Sequence, residues 1–143
     1  MTADDQTEPT VQFLNVDVEL YGVFDRSVLL RGFGDAIVVL HEGSGREGEP
    51  AISFELNAVR PTAERALAEL IALVRALPDD ARAAWNAATR RVFDIGIQSG
   101  RTPHSTHWSI DANVLTALGG INADLVITVY GADLGRAEGR TAS

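Results

Sequence analysis

Apolar and polar residues alternate along much of the chain. In 12–21, Leu14, Val16, Val18 and Leu20 interleave with Asn15, Asp17, Glu19 and Tyr21. A period of two predicts a strand with one face buried. The same pattern recurs in 51–57, where Ile52, Phe54 and Leu56 oppose Ser53, Glu55 and Asn57. It recurs again in 91–98, where Phe93, Ile95 and Ile97 oppose Asp94, Gly96 and Gln98. Further strands are predicted over 36–42, 106–110 and 124–130. In the last, Leu125, Ile127 and Val129 share one face while Val126, Thr128 and Tyr130 share the other. Such a nearly continuous apolar run predicts an interior place in the sheet.

Elsewhere the period changes to that of a helix. Leu67, Leu70, Ile71 and Val74 form one stripe and predict a helix from Pro61-Thr62 to about residue 76. Pro78 closes it, and Asp79-Asp80 open a second helix to about 89, where acids suit the positive N-terminal end. Two shorter helices are predicted over 26–33 and 112–119. Asp25 and Asp111 are their expected N-caps, and Gly34 is expected just past the end of the first. Trp85 and Trp108 are expected to fill the core between helices and sheet.

The short helices belong to an internal repeat. Asp25-Arg-Ser-Val-Leu29 runs to Gly34, and Asp111-Ala-Asn-Val-Leu115 runs to Gly120. Each is followed by an aspartate and a β-rich run, Asp35 to His41 and Asp124 to Tyr130. A strand–helix–strand unit stated twice predicts two right-handed crossovers, each joining parallel strands. The predicted order β-α-β-β-α-α-β-β-α-β defines an α+β fold of two layers. It has one mixed sheet of about six strands, with the helices packed on one face. The expected organisation is a leader over 1–10, a single domain over 11–131 and a tail over 132–143.

A sheet covered on one side leaves the other side open. The alternation assigns Asn15, Asp17, Glu19, Tyr21, Ser53, Glu55, Asn57, Asp94, Gln98, His107, Ser109, Thr128 and Tyr130 to that side. Asp17, Glu19, Glu55 and Asp94 make it acidic. A solvated sheet face carries such residues at no special cost. The same residues, with Tyr130, equally make a docking surface for a cationic partner.

Composition narrows the chemistry. The 143 residues carry 20 acids and 12 basic groups, all arginine, for a net charge of −8. That balance argues against nucleic acid, which needs a basic surface, and is compatible with a basic protein partner. There is no cysteine and no lysine, so thiolate, Schiff-base and P-loop chemistry are excluded. The missing lysines and abundant alanine fit a GC-rich coding sequence. No apolar run has membrane-span length and the N-terminus is polar and acidic, so a cytoplasmic protein without membrane attachment is expected.

One constellation offers metal chemistry. His104 and His107, with Asp94 or Asp111, supply the ligand types of a zinc or iron site and, with it, a metal-dependent hydrolase. In an extended chain, however, residues three apart point to opposite faces, so the histidines converge only if the loop bends. Gly43-Ser-Gly45 reads as a hairpin loop, and Ser99 lies outside any nucleophile-elbow pattern. Arg90-Arg91 reads as a pair that neutralises nearby acids, with Asp79, Asp80 and Glu55 as candidates.

Several segments together resemble a family of small, uncharacterised bacterial α+β proteins. They are Val16-Asp-Val-Glu-Leu20, Gly34-Asp-Ala-Ile-Val-Val-Leu40, Arg91-Val-Phe-Asp-Ile-Gly-Ile-Gln98, His107-Trp-Ser-Ile110 and the final strand ending Val129-Tyr130. The likeness spans most of 12–130. It implies the fold and carries no catalytic residues across. Small α+β bacterial proteins include toxin-neutralising immunity proteins, an analogy of fold and size. The expectation is therefore a non-enzymatic binding protein with an acidic open face, immunity-like in type and without a cofactor. Its expected partners are a basic protein and a second copy of itself, paired through a strand edge.

Overall fold

The structure is a computed structural model that describes residues 9–132. Five strands form one sheet: β1 (Gln12–Tyr21), β2 (Ile37–Ser44), β3 (Pro50–Leu56), β4 (Arg90–Gln98) and β5 (Asp124–Tyr130). Four α-helices accompany them: α1 (Arg26–Phe33), α2 (Ala63–Arg75), α3 (Asp79–Ala87) and α4 (Ala112–Gly120). The spatial order is β2-β3-β1-β4-β5. Every neighbouring pair is antiparallel except β4–β5, which is parallel. This is the expected α+β architecture, with five strands rather than six.

The strand expected over 106–110 does not form, and the chain there has no regular structure. Two apolar residues among histidines and serines give too little burial to hold a ladder. Trp108 is consequently 37% exposed and is not a core residue. His107 and Ser109 therefore do not belong to the sheet face. The second repeat unit takes β4 as its leading strand instead, and α4 joins it to the parallel neighbour β5. In the first unit β1 and β2 also run parallel, but β3 inserts between them.

The helix ends follow from local chemistry. Asp25 accepts from the Val28 N–H at 3.2 Å, and Asp111 from the Asn113 N–H at 2.8 Å. Gly34 takes φ 62°, a left-handed value that suits glycine, and its N–H donates to the Leu30 carbonyl. Arg91 donates to the carbonyls of Trp85 and Ala88 at the end of α3, and to Asn122. Arg90 pairs with Asp124 at 3.2 Å, so this pair serves neither Asp79, Asp80 nor Glu55.

All four helices contribute to one core against the inward-facing strand residues Val16, Val18, Leu20, Ile52, Phe54, Phe93, Ile95 and Ile97. Trp85 is fully buried at its centre. Its ring meets Phe33 and Phe93 edge-on at 6.4 and 6.2 Å, and its Nε1–H donates to the Ile121 carbonyl at 3.0 Å. Leu14 is an extra residue between Phe13, opposite Ile97, and Asn15, opposite Gly96. This bulge turns Phe13 toward the core and sets the register of the open face. Of the expected leader, residues 1–8 lie outside the described residues, as do 133–143 of the expected tail. Pro9 and Thr10 are tied down: the Arg101 N–H donates to Pro9 and Thr10 bridges Thr102. No helix among the described residues is long and apolar enough to cross a membrane.

Candidate functional site

The antiparallel registers put the open-face acids side by side. Asp17 on β1 faces Glu55 on β3 and Asp94 on β4. Val38 on β2 and Val126 on β5 extend the same row at its two ends. Adjacent strands lie about 4.8 Å apart, so three carboxylates occupy successive positions across the middle of the sheet. The next row on that face reads His41, Ser53, Glu19, Val92 and Asp124. Glu19 thus stands two residues along β1 from Asp17, on the same side.

Each flanking carboxylate has its own neutral donor. The Asn15 amide donates to Glu55. The Thr128 hydroxyl spans both oxygens of Asp94 at 2.8 and 2.9 Å. The Tyr21 hydroxyl donates to Glu19 at 2.9 Å. Asp17, at the centre, is different: its Oδ1 is buried and has no hydrogen-bond partner. Burial raises its pKa from the ordinary 3.8 to about 6, and Glu55, Asp94 and Glu19 all push the same way. The ion pairs Arg26–Glu42, Arg60–Glu69 and Arg90–Asp124 all lie outside this row.

Below the row the face opens into a trough of about 620 Å³. Glu19 and Asp94 line it from the sheet, and Arg46, Glu49 and Arg90 from its border. Tyr130 lies at the opposite end of the face. There its ring and the Asn15 side chain close over Gly96, within 3.6 and 3.3 Å of where a Cβ would stand. A Cβ at 96 would crowd the Asn15 Oδ1, which would have to give by a few tenths of an ångström.

The histidines are not part of this arrangement. His104 and His107 are exposed in the 101–110 segment, and His107 lies beside Glu64 and Trp108 near the start of α2. No group of three His, Cys, Asp or Glu side chains among the described residues is placed to hold a metal ion. Asp94 is instead engaged by Thr128. Alternation in the sequence was enough to place Asp17, Glu19, Glu55 and Asp94 on one face. It missed that Asn15 and Thr128 serve as donors to Glu55 and Asp94, because cross-strand partners depend on register and strand order; the Tyr21–Glu19 bond, two residues apart on one strand, was within reach of the alternation. Strand order and register carry that information, and neither is written in the alternation of a single strand.

The fold and face together define an open-faced α+β protein with an acidic sheet surface. Compared with protein-family models, with curated proteins and with solved structures, the chain matches none.

Proposed function

We propose that this protein is a non-enzymatic binding protein that docks a basic protein segment on the open face of its sheet. The observation that carries the proposal is the register that sets the Asp17 carboxylate between those of Glu55 and Asp94. A guanidinium placed over the row is attracted by all three carboxylates at once. The same cation relieves the mutual repulsion of the row and reaches a neighbouring carboxylate with its second N–H edge. Val38 and Val126 offer apolar contact at the ends of the row. A toxin-neutralising protein, which must mask a basic working surface, is one class that suits this chemistry.

The test is a titration with a short arginine-rich peptide, followed by amide NMR shifts. Shifts should concentrate on residues 15–19, 53–55, 94 and 128, and should weaken with added salt as exposed charge contacts are screened. An Asp17→Ala, Glu55→Ala double variant should lose at least about tenfold in affinity while keeping its fold, since a charged hydrogen bond contributes about 1.5–3 kcal/mol. Unchanged affinity in the double variant, or shifts centred elsewhere, rejects the reading.

A further inference from the structure

The sequence of β5 and its position disagree. Leu125-Val-Ile-Thr-Val129 is a nearly continuous apolar run, as interior strands are, yet β5 is an edge of the sheet. Its Ile127 and Val129 are 62% and 60% exposed on the side that the helices cover elsewhere. We propose that β5 is the interface of a symmetric homodimer in which two copies pair antiparallel, edge to edge, about Ile127.

Three observations favour a second copy as the occupant. First, the strand is self-complementary. With a two-fold axis at Ile127, Leu125 stands opposite Val129 of the second copy and Val126 opposite Thr128. One face of the new ladder then reads Leu-Ile-Val against Val-Ile-Leu, all apolar, which is what an isologous interface requires. Second, the charges permit it. A net charge of −8 opposes contact between copies over most of the surface, but residues 125–130 are uncharged. The one acid of the strand, Asp124, is held by Arg90 at 3.2 Å, and the acidic row lies inward on β3, β1 and β4. Third, the two edges of the sheet are treated differently. The outer strand β2 has a bulge at Leu40 and carries His41 and Glu42, with Glu42 beside Arg26 at 3.8 Å. Such irregularity and charge discourage edge pairing. β5 has an unbroken register with β4 and carries no lysine, proline or bulge.

This pairing is independent of the docking proposal. It makes one continuous ten-stranded sheet with both acidic rows on the same side.

Mass in solution tests it, by light scattering behind a sizing column at about 100 µM, a range that detects even micromolar dimers. The full chain should show twice its 15.3 kDa mass. Ile127→Lys should return it to a single-chain mass with an unchanged circular dichroism spectrum, and Val39→Lys on the other edge should remain dimeric. Because the chain has no cysteine, Ile127→Cys is diagnostic of register. Mild oxidation should link it into a dimer across the axis, whereas Val129→Cys, facing Leu125, should stay unlinked. A wild type that stays monomeric overturns the proposal and leaves the edge for an extended segment of another protein. Retention of the dimer by Ile127→Lys also overturns it. If that variant misfolds, failure of Ile127→Cys to cross-link does so in its place.

Discussion

Replacing Asp17 by asparagine should make the protein more stable at neutral pH. The substitution keeps the shape of the side chain, supplies an amide donor and removes the charge that burial and three neighbouring carboxylates oppose. In the folded protein Asp17 ionises at about 6; in the unfolded chain it ionises near 3.8. The unfolded state therefore gives up this proton first. Between about pH 4 and pH 6 the group removes stability as pH rises, and above pH 6 the whole deficit is present. The full shift corresponds to about 3 kcal/mol. Asp17 is only half-buried, and solvent screening reduces this to about 1–1.5 kcal/mol.

Urea denaturation of wild type and Asp17→Asn at pH 4 and pH 7.5 measures the effect directly. The variant should gain about 1 kcal/mol on the wild type at pH 7.5, a few degrees in Tm for a domain of this size. At pH 4, where Asp17 is protonated in the folded state, the two should be close to equal. The comparison between variants cancels contributions common to both. An equal difference at both pH values, or a loss of stability at pH 7.5 larger than at pH 4, would refute the account of Asp17 as an uncompensated charge.

Four further outcomes are expected. Affinity for the arginine-rich peptide should rise from pH 5 to pH 7.5, because Asp17 acquires its charge across that interval; a flat profile by calorimetry would count against its role in docking. Trp85→Phe should cost about 1–3 kcal/mol in urea, since the buried Ile121 carbonyl loses its donor while most of the ring packing survives. Gly100→Ala should destabilise by about 1–3 kcal/mol, because a Cβ there would come within 2.6 Å of the Thr10 backbone; a neutral thermal shift would show that this segment yields freely. Asp111→Ala should cost about 1 kcal/mol through the lost N-cap of α4, while Asp111→Asn should recover most of it.

Most of the fold is legible in the chain because local signals agree with the tertiary structure. The period-two runs of β1, β3 and β4 and the stripe of α2 each predict both the element and its buried face. The caps at Asp25, Asp111 and Gly34 are visible for the same reason, since their partners lie within four residues. The failures are of a different kind. Ile110 and Trp108 look like part of a strand, but no neighbour is available to pair with them once β5 has taken the place beside β4. β5 reads as interior because its run is nearly continuously apolar, and nothing within a strand states how many neighbours it has. The repeat misleads in the same direction: it is real in α1 and α4, but insertion of β3 makes one crossover adjacent and the other not. At the candidate site, alternation places the acids on one side of the sheet, whereas the donors to Glu55 and Asp94 appear only with the registers.

The two sides of the sheet treat their polar groups differently. The helix-covered side of the sheet is apolar, closely packed around Trp85 and Phe93, and there the one buried indole N–H meets a carbonyl. On the open side three carboxylates are matched to neutral donors that hold them in place without cancelling their charge. Neutral donors fix geometry; an arginine in the same positions would neutralise the face and close it to a cation. The central carboxylate is left without either. A face selected only for solubility would spread its acids to minimise repulsion, and at β1 the residues opposite Asp17 would be of neutral or opposite sign. Concentrating the cost at Asp17 while anchoring its neighbours is the arrangement expected when local stability is exchanged for a fixed anionic contact. The same reasoning ties the Asp17→Asn prediction to the docking reading: a substitution that stabilises the free protein should be the one that weakens its hold on a basic segment.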